Sequence, residues 1–330
     1  MKIPITGRCV AIAVAVAALF AAPYAIHETY YVNIASQILL YAVFALGLNV
    51  LVGYAGLVSL GHAGLFGVAA YVDAYLLAAG HGHAFAITAA LAGGLVATAG
   101  FAALALRATG ISFIMITLAL GEIIWGLAYR WISLTNGDNG ISVATRPAPF
   151  GLPLTSARNF YDATLIIFLL AVAACAIFVR SPFGAALCGT RDQPRRMNAL
   201  GYHVWMIRFG AFMFSGLLAS AAGILFVYYN EFISPQALAL TASAEGLLMV
   251  ISGGAGTLIG PVVGAALVVI VKNVVSAYVT RWNFMLGAIF VAIVVFMPEG
   301  LVPGAVRLTR SAWGAASRQK TAASGSEPKP

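Results

Sequence analysis

The sequence contains little charge and little cysteine. Only 8% of its 330 residues are charged, whereas an ordinary soluble domain has about 25% charged residues. Hydrophobic residues make up 62% of the chain, which is more than a soluble fold of this size could hide from water. The three cysteines, Cys9, Cys175 and Cys188, are far apart, so no disulfide framework, redox pair or metal motif is indicated. This composition excludes a soluble globule, a coiled coil and a disordered chain.

Motifs of catalysis are also missing. The chain contains no H-E-x-x-H, G-x-S-x-G or C-x-x-C pattern, the patterns that carry metal, nucleophile and redox chemistry. Residues 314–321 approach a phosphate-binding loop, but Gln319 stands where the second glycine is required. We therefore expect no catalytic residue, no metal site, no cofactor bound by this chain and no enzymatic activity of its own.

What the sequence does contain is a series of long apolar runs. A helix needs roughly 20 apolar residues to cross the hydrocarbon core of a membrane. We therefore predict an all-α fold, a polytopic transmembrane helical bundle of about 8–10 spans with glycine-broken segments. The candidate spans are residues 10–26, 33–53, 57–79, 85–106, 111–132, 161–180, 206–229, 240–252, 258–279 and 284–302. The third and eighth border glycine-rich stretches and could be broken or re-entrant.

The first run has two interpretations. Lys2 and Arg8 precede an apolar stretch, and residues 21–23 resemble the cleavage region of a signal peptide. The apolar stretch continues to Ile26, and no soluble domain that would need export follows it. We therefore favour a retained first span.

The basic residues indicate an orientation. The formal net charge is +8, which in a soluble protein could indicate nucleic-acid binding but in a membrane protein reflects lysine and arginine on the cytoplasmic side. With ten spans and a cytoplasmic N-terminus, most of the 18 basic residues fall inside. We expect both termini to be cytoplasmic and no nucleic-acid partner.

Two glycine-rich stretches interrupt the apolar runs. Residues 47–64 are punctuated by glycine, and residues 248–264 repeat six of the same residues 200 positions later. Paired glycine-interrupted segments point to a transport path, because unwound backbone at membrane depth is tolerated only where it is buried in protein or lines a cavity. The alternative is that glycine permits close helix packing, and the two interpretations can hold together.

Five ionisable residues fall within or beside the apolar runs. Such side chains are costly in lipid and indicate a function unless a structural partner accounts for them. His62 could line the path or hydrogen-bond to backbone, and Asp73 could cap a helix or face water. Glu122 and Glu245 could contact substrate, take part in gating or join helices. Lys272 could snorkel to the interface or pair with a carboxylate.

The polar connection at residues 181–205 is the best surface for a partner. It has a helix-start signal at Ser181 and Pro182, mixed polarity and a glycine stop at Gly201. A short amphipathic helix of this kind could lie in a groove of a soluble protein. The alternative is a basic loop held at anionic lipid.

Four blocks of sequence, in order, resemble one family. Residues 47–71 are similar to its segment of the form G-L-N-x-x-x-G-Y-A-G-x-x-S-L-G-H-A, and residues 117–141 to the block that follows. Residues 181–201 resemble its cytoplasmic coupling segment, and residues 245–264 its late glycine block. Over most of its length the chain thus resembles the inner-membrane permease subunits of branched-chain amino acid ABC importers, a family that also holds ribose-type sugar permeases.

The resemblance implies a permease domain at residues 33–304, after an N-terminal span and periplasmic turn at residues 1–32 and before a basic, disordered cytoplasmic tail at residues 305–330. It implies a passive half-channel in the lipid of the bacterial inner membrane, paired with a second permease subunit in a heterodimer. Two ATP-binding subunits would bind the coupling segment, and a periplasmic substrate-binding protein would deliver the substrate. That substrate would be a branched-chain or other hydrophobic amino acid, with urea, amides and aromatic acids as alternatives.

The candidate site residues follow from the residue patterns and the resemblance together. The translocation-path candidates are Asn49, Gly53, Gly56, Ser59, His62, Glu122, Glu245, Gly253 and Gly256. The ATPase-coupling candidates are Ser181, Pro182, Gly184, Arg191, Asp192, Arg195, Ala199 and Gly201. Residues 193–197 depart from the relatives, which carry more acidic residues and alanines there, and Pro194 would break or start a helix. Asp73 stands where relatives have a small or uncharged residue, which leaves the substrate class open.

Two other functions are possible interpretations of the sequence. An ion-coupled secondary transporter would use Glu122, Glu245 or Asp73 as its coupling carboxylate, but the cytoplasmic coupling segment argues against it. An intramembrane enzyme would use His62 with a nearby carboxylate, and the absence of any nucleophile–base pattern argues against that.

Overall fold

The computed structural model describes residues 28–143, 156–278, 282–297 and 299–304, together with residues 19, 20, 23 and 307. Most of the predicted first span, and with it the signal-peptide alternative, lies outside the described residues. So does the predicted tail apart from residue 307.

Helices form most of the described chain, since in an apolar surrounding a helix satisfies its backbone hydrogen bonds within one segment. In chain order they are α1 (Thr29–Asn49), its π-helical extension (Val50–Ala55), α2 (His62–Ala78), α3 (His83–Ala105), α4 (Ile111–Arg130), α5 (Ile132–Thr135), α6 (Ala157–Arg180), α7 (Pro182–Asp192), α8 (Pro194–Ala199), α9 (Val204–Asn230), α10 (Leu240–Gly253), α11 (Gly260–Tyr278) and α12 (Trp282–Phe296). Short 3₁₀ turns at Gly137–Asn139 and Pro235–Leu238 and the strands β1 (Ile141–Ser142) and β2 (Phe232–Ile233) lie in the connections.

Five helical segments of the described chain are long and apolar enough to cross a membrane: Thr29–Ala55, His83–Ala105, Ile111–Arg130, Ala157–Arg180 and Val204–Asn230. Shorter apolar helices are His62–Ala78, Leu240–Gly253 and Gly260–Asn273. The predicted all-α transmembrane bundle is confirmed. The third and eighth predicted spans are shorter than expected of a full crossing, because irregular backbone takes up residues 56–61 and 254–259.

The spans divide into inner and outer helices. In the most apolar stretch of Thr29–Ala55, which is α1 with its π-helical extension, 78% of residues are buried, and in that of α9 67% are. The corresponding shares are 28% in α3 and α6 and 22% in α4. Helix α9 packs against α1, α2 and α3, while α1 also packs against α6, α10 and α11. The outer helices expose large apolar side chains such as Ile123, Leu170 and Ile177. Apolar side chains exposed in this number are expected of a surface that faces lipid tails.

Helix α9 connects two distinct ends of the bundle. At its start it follows α7 and α8, which define what we call the α7 end. At its finish it leads into β2, which pairs antiparallel with β1 through Ile141 opposite Ile233 and Ser142 opposite Phe232. We call this the strand end. Helix α1 runs from the strand end to the α7 end, because its π-helical extension packs against α7.

Candidate functional site

The first glycine break begins where α1 ends. Helix α1 continues into the π-helical turn Val50–Ala55 and stops at Gly56, whose φ of 69° lies in the left-handed region. That conformation carries little penalty for glycine and is rare for other residues. Residues 56–61 then have no regular helix, and the amide of Leu60 donates to Thr117 Oγ1 of α4 at 3.3 Å. Leu57, Ser59 and Gly61 are buried, so this part of the break meets the condition under which irregular backbone is tolerated at membrane depth.

The second break joins α10 to α11. Gly254 and Gly256 have φ values of 115° and 80°, and the chain turns back on itself over residues 254–259. The hydroxyl of Thr257 donates to the Gly254 carbonyl at 2.8 Å and accepts from the Gly260 amide at 3.0 Å. These bonds close the turn, so α10 and α11 pack side by side in opposite directions.

The two breaks are joined by the side chain of Asn49. Its Nδ2 donates to the Thr257 carbonyl at 2.9 Å, and its Oδ1 accepts from the Gly256 amide at 2.9 Å. Asn49 is 1% exposed. A Cβ at Gly53 would overlap the backbone of Gly256, so glycine is required for this approach. We name Asn49, Gly53, Gly256 and Thr257 the glycine clamp.

Helix α7 lies directly on the glycine clamp. Ser181 caps it, accepting from the Gly184 amide at 3.2 Å, and Pro182 occupies its first turn. At its far end Arg191 donates from Nη1 to the Gly53 carbonyl at 2.6 Å. The predicted coupling segment therefore touches the predicted translocation path through one hydrogen bond.

Other contacts secure α7 to its neighbours. The aliphatic part of Arg191 lies over Gly56, close enough that a Cβ there would meet Cγ of the arginine at 2.6 Å. Arg208 of α9 donates from Nη2 to the Thr190 carbonyl at 2.7 Å. A Cβ on Gly184 would overlap the backbone of Val179 in α6. Helix α7 is thus held by α6, α9 and the first glycine break.

The remaining coupling candidates lie at the surface. Asp192 pairs with Arg191 at 2.9 Å, and both side chains are exposed. Pro194 starts the short helix α8. Of the two predictions for this proline, breaking or starting a helix, the second is confirmed. Arg195 and Ala199 are exposed on α8, and Gly201 ends it with a φ of 86°. These residues form an accessible surface around α7.

Ser59 and His62 are fully buried between the break and the helices. His62 Nε2 lies 3.4 Å from the hydroxyl of Ser215, which itself donates to the Gly47 carbonyl. The His62 ring also packs against Phe44, with centroids 5.4 Å apart. Within the described chain, Ser59 Oγ and His62 Nδ1 have no hydrogen-bond partner. Both residues lie in the packed interior next to the first break.

A cavity of about 320 Å³ opens between α1, α2, α9 and α10 towards the strand end. Glu245 of α10 and Lys272 of α11 lie in its wall, and Lys272 Nζ contacts both carboxylate oxygens of Glu245 at 3.1 and 3.3 Å. Pairing with a carboxylate, one of the two alternatives for Lys272, is confirmed. The Ala63 amide donates to Ser243 Oγ at 3.0 Å and joins α2 to α10 at the cavity wall.

Two acidic residues belong neither to the glycine clamp nor to the cavity wall. Glu122 is half-buried on α4 and does not line the cavity described above. Capping a helix or facing water was the structural alternative for Asp73, and facing water is wrong because Asp73 is 0% exposed. Helix α2 is shortened by the break and packs between α3 and α9, which places Asp73 inside the bundle. Neither Asp73 oxygen has a hydrogen-bond partner among the described residues.

Some contacts carry no signal in the sequence. Thr257 and Ser243 look like ordinary helix-flanking polar residues, yet the Thr257 carbonyl accepts from the Asn49 side chain and the Ser243 hydroxyl accepts from the Ala63 amide, both in distant segments. The period of 200 residues between the glycine stretches was the one hint that they would meet. In the part of the chain that the structure describes, no group of three or more His, Cys, Asp or Glu side chains could hold a metal ion.

Comparisons with known proteins agree with this architecture. The family described as "Branched-chain amino acid transport system / permease component" matches residues 30–294. The high-affinity branched-chain amino acid transport system permease protein LivM of Salmonella typhimurium is 31% identical over 297 residues, covering 82% of this chain and 70% of the relative. LivM of Escherichia coli is 32% identical with the same coverage.

A more distant likeness reaches a second group of permeases. The autoinducer 2 import system permease protein LsrC of Yersinia enterocolitica is 33% identical over 139 residues, or 40% of this chain and 39% of the relative. No solved structure matches the chain. The match to residues 30–294 takes in both glycine breaks, α7 and the cavity helices, and with it the chain belongs to the family of permease components of branched-chain amino acid transport systems.

Proposed function

We propose that this chain is the permease subunit of an ATP-driven importer that moves branched-chain or other hydrophobic amino acids into a bacterial cytoplasm. The observation that carries the proposal is the hydrogen bond from Arg191 of the surface helix α7 to the Gly53 carbonyl inside the bundle. A force applied to α7 from outside the membrane would reach the glycine clamp through this contact. The names of the LivM relatives support the amino acid class.

The proposed orientation places the α7 end in the cytoplasm. Arg180, Arg191, Arg195, Arg196 and Arg208 all belong to or flank α7 and α8, and basic residues are retained on the cytoplasmic side of bacterial membranes. The strand end then lies on the periplasmic side of the inner membrane. A substrate-binding protein would dock there, and two ATP-binding subunits would dock at α7 on the opposite side.

The proposed mechanism is mechanical. Closure of the ATP-binding subunits would displace α7, and Arg191 would carry the displacement to the clamp. Helices α1, α10 and α11 all meet there, so their movement would change access to the cavity from the two ends. Bistable packing of this kind turns a small shift at one site into a switch at another. A second permease subunit would supply the other half of the pathway.

Reconstituted vesicles test the proposal. The chain is assembled with its companion subunits, and uptake of radiolabelled leucine is measured with and without ATP on the α7 side. We expect uptake that requires ATP and both ATP-binding subunits. Uphill uptake by this chain alone on a proton or sodium gradient would overturn the proposal and favour an ion-coupled carrier, for which the buried Asp73 would be the first residue to replace.

The variant Gly184→Asp tests the role of α7 in the same vesicles. Its side chain would collide with the backbone of α6 at the start of α7, so docking of the ATP-binding subunits and uptake should both be lost while membrane insertion remains. Gly82→Asp is the matched control, because Gly82 is exposed in the connection just before α3, outside the apolar span, and has nothing near its Cβ position. Normal co-purification of Gly184→Asp with the ATP-binding subunits would contradict the role of α7.

A further inference from the structure

The cavity beside α10 combines an ion pair with an aromatic wall. The carboxylate of Glu245 and the ammonium group of Lys272 are partly buried, with 19% and 36% of their side chains exposed. The rings of Phe44, Phe66 and Phe226 also line the cavity. Phe66 stacks edge-on against each of the other two with centroids 5.4 Å apart. The cavity therefore presents opposite charges on one side and a rigid apolar surface on the other.

The ion pair has the charge arrangement of a zwitterion. A charge taken out of water is stable only with a partner, so removing one member of a buried pair is strongly destabilising. An α-amino acid could enter without breaking this condition. Its ammonium group would bind Glu245 and its carboxylate would bind Lys272, so every charge keeps a partner before, during and after occupancy. An uncharged or singly charged solute would separate the pair without replacing both contacts.

The size and the aromatic wall fit a small apolar side chain. Ligand pockets have volumes of about 300–1,000 Å³, and this cavity, at about 320 Å³, lies at the small end of that range. Met249 and Phe44 continue the apolar surface towards the glycine clamp. Pockets of this kind hold the apolar part of a ligand by burial and fix its orientation by a few polar groups.

We propose that this cavity is a transient binding site for an α-amino acid with an apolar side chain, held by Glu245 and Lys272. This inference rests on the proposed importer function and names where the substrate stops within this chain. The cavity walls and the clamp share helices: α10 carries Glu245 and ends at Gly253, α11 begins at Gly260 and carries Lys272. A shift of α10 against α11 at the clamp would separate the two charges and release the ligand.

Protection of a cysteine at the cavity wall tests the site directly. The native cysteines are replaced by serine or alanine, Ala242→Cys is introduced, and the full complex in lipid discs is labelled with a small maleimide. Ala242 lines the cavity. We expect millimolar L-leucine to slow labelling several-fold, whereas 3-methylbutylamine, which lacks the carboxylate, and 4-methylpentanoate, which lacks the ammonium group, do not.

Variants of the ion pair complete the test. Glu245→Gln and Lys272→Met should each raise the leucine concentration needed for protection at least tenfold. The exchanged pair, Glu245→Lys with Lys272→Glu, keeps an ion pair and guards against loss of folding, and it should retain protection by leucine. Arg307→Gln, which breaks an exposed ion pair with Glu299 outside the cavity, should behave as wild type. Equal protection by all three compounds, or protection unchanged in both single variants, overturns the site.

Different results would contradict the cavity proposal and the importer proposal. If ATP-dependent uptake of leucine continues in the parent complex while leucine gives no protection, the cavity proposal is wrong and the importer proposal stands. If uptake in the parent complex needs no ATP-binding subunits, the importer proposal is wrong, and the protection measurement still decides whether the cavity binds a zwitterion.

Discussion

The glycine clamp and the cavity share the helices α1, α10 and α11, and the two regions are packed in opposite ways. At the clamp, α1, α10 and α11 approach until the backbone of Gly53 meets that of Gly256. Towards the strand end the same helices separate around a volume of about 320 Å³ lined by aromatic rings and one ion pair. A conduit that must open and close needs both, because a tight joint fixes where the helices pivot and the space beyond it can change.

The residue types explain the difference. Glycine lets backbones touch, and the side-chain amide of Asn49 then satisfies two backbone groups that the unwound turn leaves without helical partners. At the cavity, the rings of Phe44 and Phe66 line the space between the helices. Dense packing transmits displacement with little loss because protein interiors are nearly incompressible.

The largest effect is expected where one methyl group is added to the clamp. In Gly53→Ala the new Cβ would overlap the backbone of Gly256 and lie 2.6 Å from Asn49 Oδ1. Overpacking typically costs about 1–3 kcal/mol, and backbone neighbours cannot rotate away as side chains can. We expect uptake to be lost and the Tm of the purified complex to fall. Gly100→Ala makes the same chemical change where nothing lies within 4 Å and should keep both. Equal uptake and equal Tm in the two variants would contradict a role for the glycine clamp.

The next effect is expected from removing the amide that joins the two breaks. Asn49→Leu keeps the approximate volume but leaves the Gly256 amide and the Thr257 carbonyl without this partner. Leaving one buried polar group unsatisfied costs about 1–3 kcal/mol. We expect faster hydrogen exchange at the Gly256 amide and a marked loss of uptake. Asn230→Leu is the control, because exposed Asn230 bonds to the Phe226 carbonyl of its own helix. Unchanged exchange at Gly256 in Asn49→Leu would show that the clamp holds without it.

A smaller effect is expected where α7 touches the clamp. Arg191→Gln loses the bond to the Gly53 carbonyl, and hydrogen bonds to charged groups contribute about 1.5–3 kcal/mol. Solvent screens part of this, since 43% of the Arg191 side chain is exposed. We expect ATP hydrolysis to continue while uptake per ATP falls several-fold. Arg107→Gln removes an exposed charge from the α3–α4 connection and should leave that ratio unchanged. Equal ratios in both variants would contradict a coupling role for Arg191.

The helices and their breaks were predictable because they depend on local sequence. Apolar runs long enough to cross a membrane must satisfy their backbone as helices. The second to tenth predicted spans each coincide with a helix, and irregular backbone borders the third and eighth. The side-chain partners depend on contacts between distant segments. Asn49 reaches Gly256 across 207 positions and Arg191 reaches Gly53 across 138. No local pattern encodes such a pairing.

The charged residues show the same limit in another form. Pairing with a carboxylate was one of two alternatives for Lys272, but the sequence did not identify which carboxylate. Facing water was one alternative for Asp73, but α2 packs between α3 and α9 and buries it, a contact between distant segments that no local pattern shows. The roles of the candidate path and coupling residues remain predictions that the variants above address.

The smallest effect on stability is expected at the cavity. Ala242→Val adds two methyl groups where the wall faces open volume. The free energy of unfolding should therefore stay within about 0.5 kcal/mol of wild type, as for substitutions away from packed features. Ala219→Val makes the same change in the packed core of α9, where the residue is 0% exposed, and overpacking there should cost about 1–3 kcal/mol. Because the added methyl groups occupy space that the ligand side chain would use, uptake of isoleucine should fall relative to uptake of alanine in Ala242→Val alone. Equal destabilisation by both variants would mean that the cavity wall is as tightly packed as the core, and the contrast between cavity and clamp would be wrong.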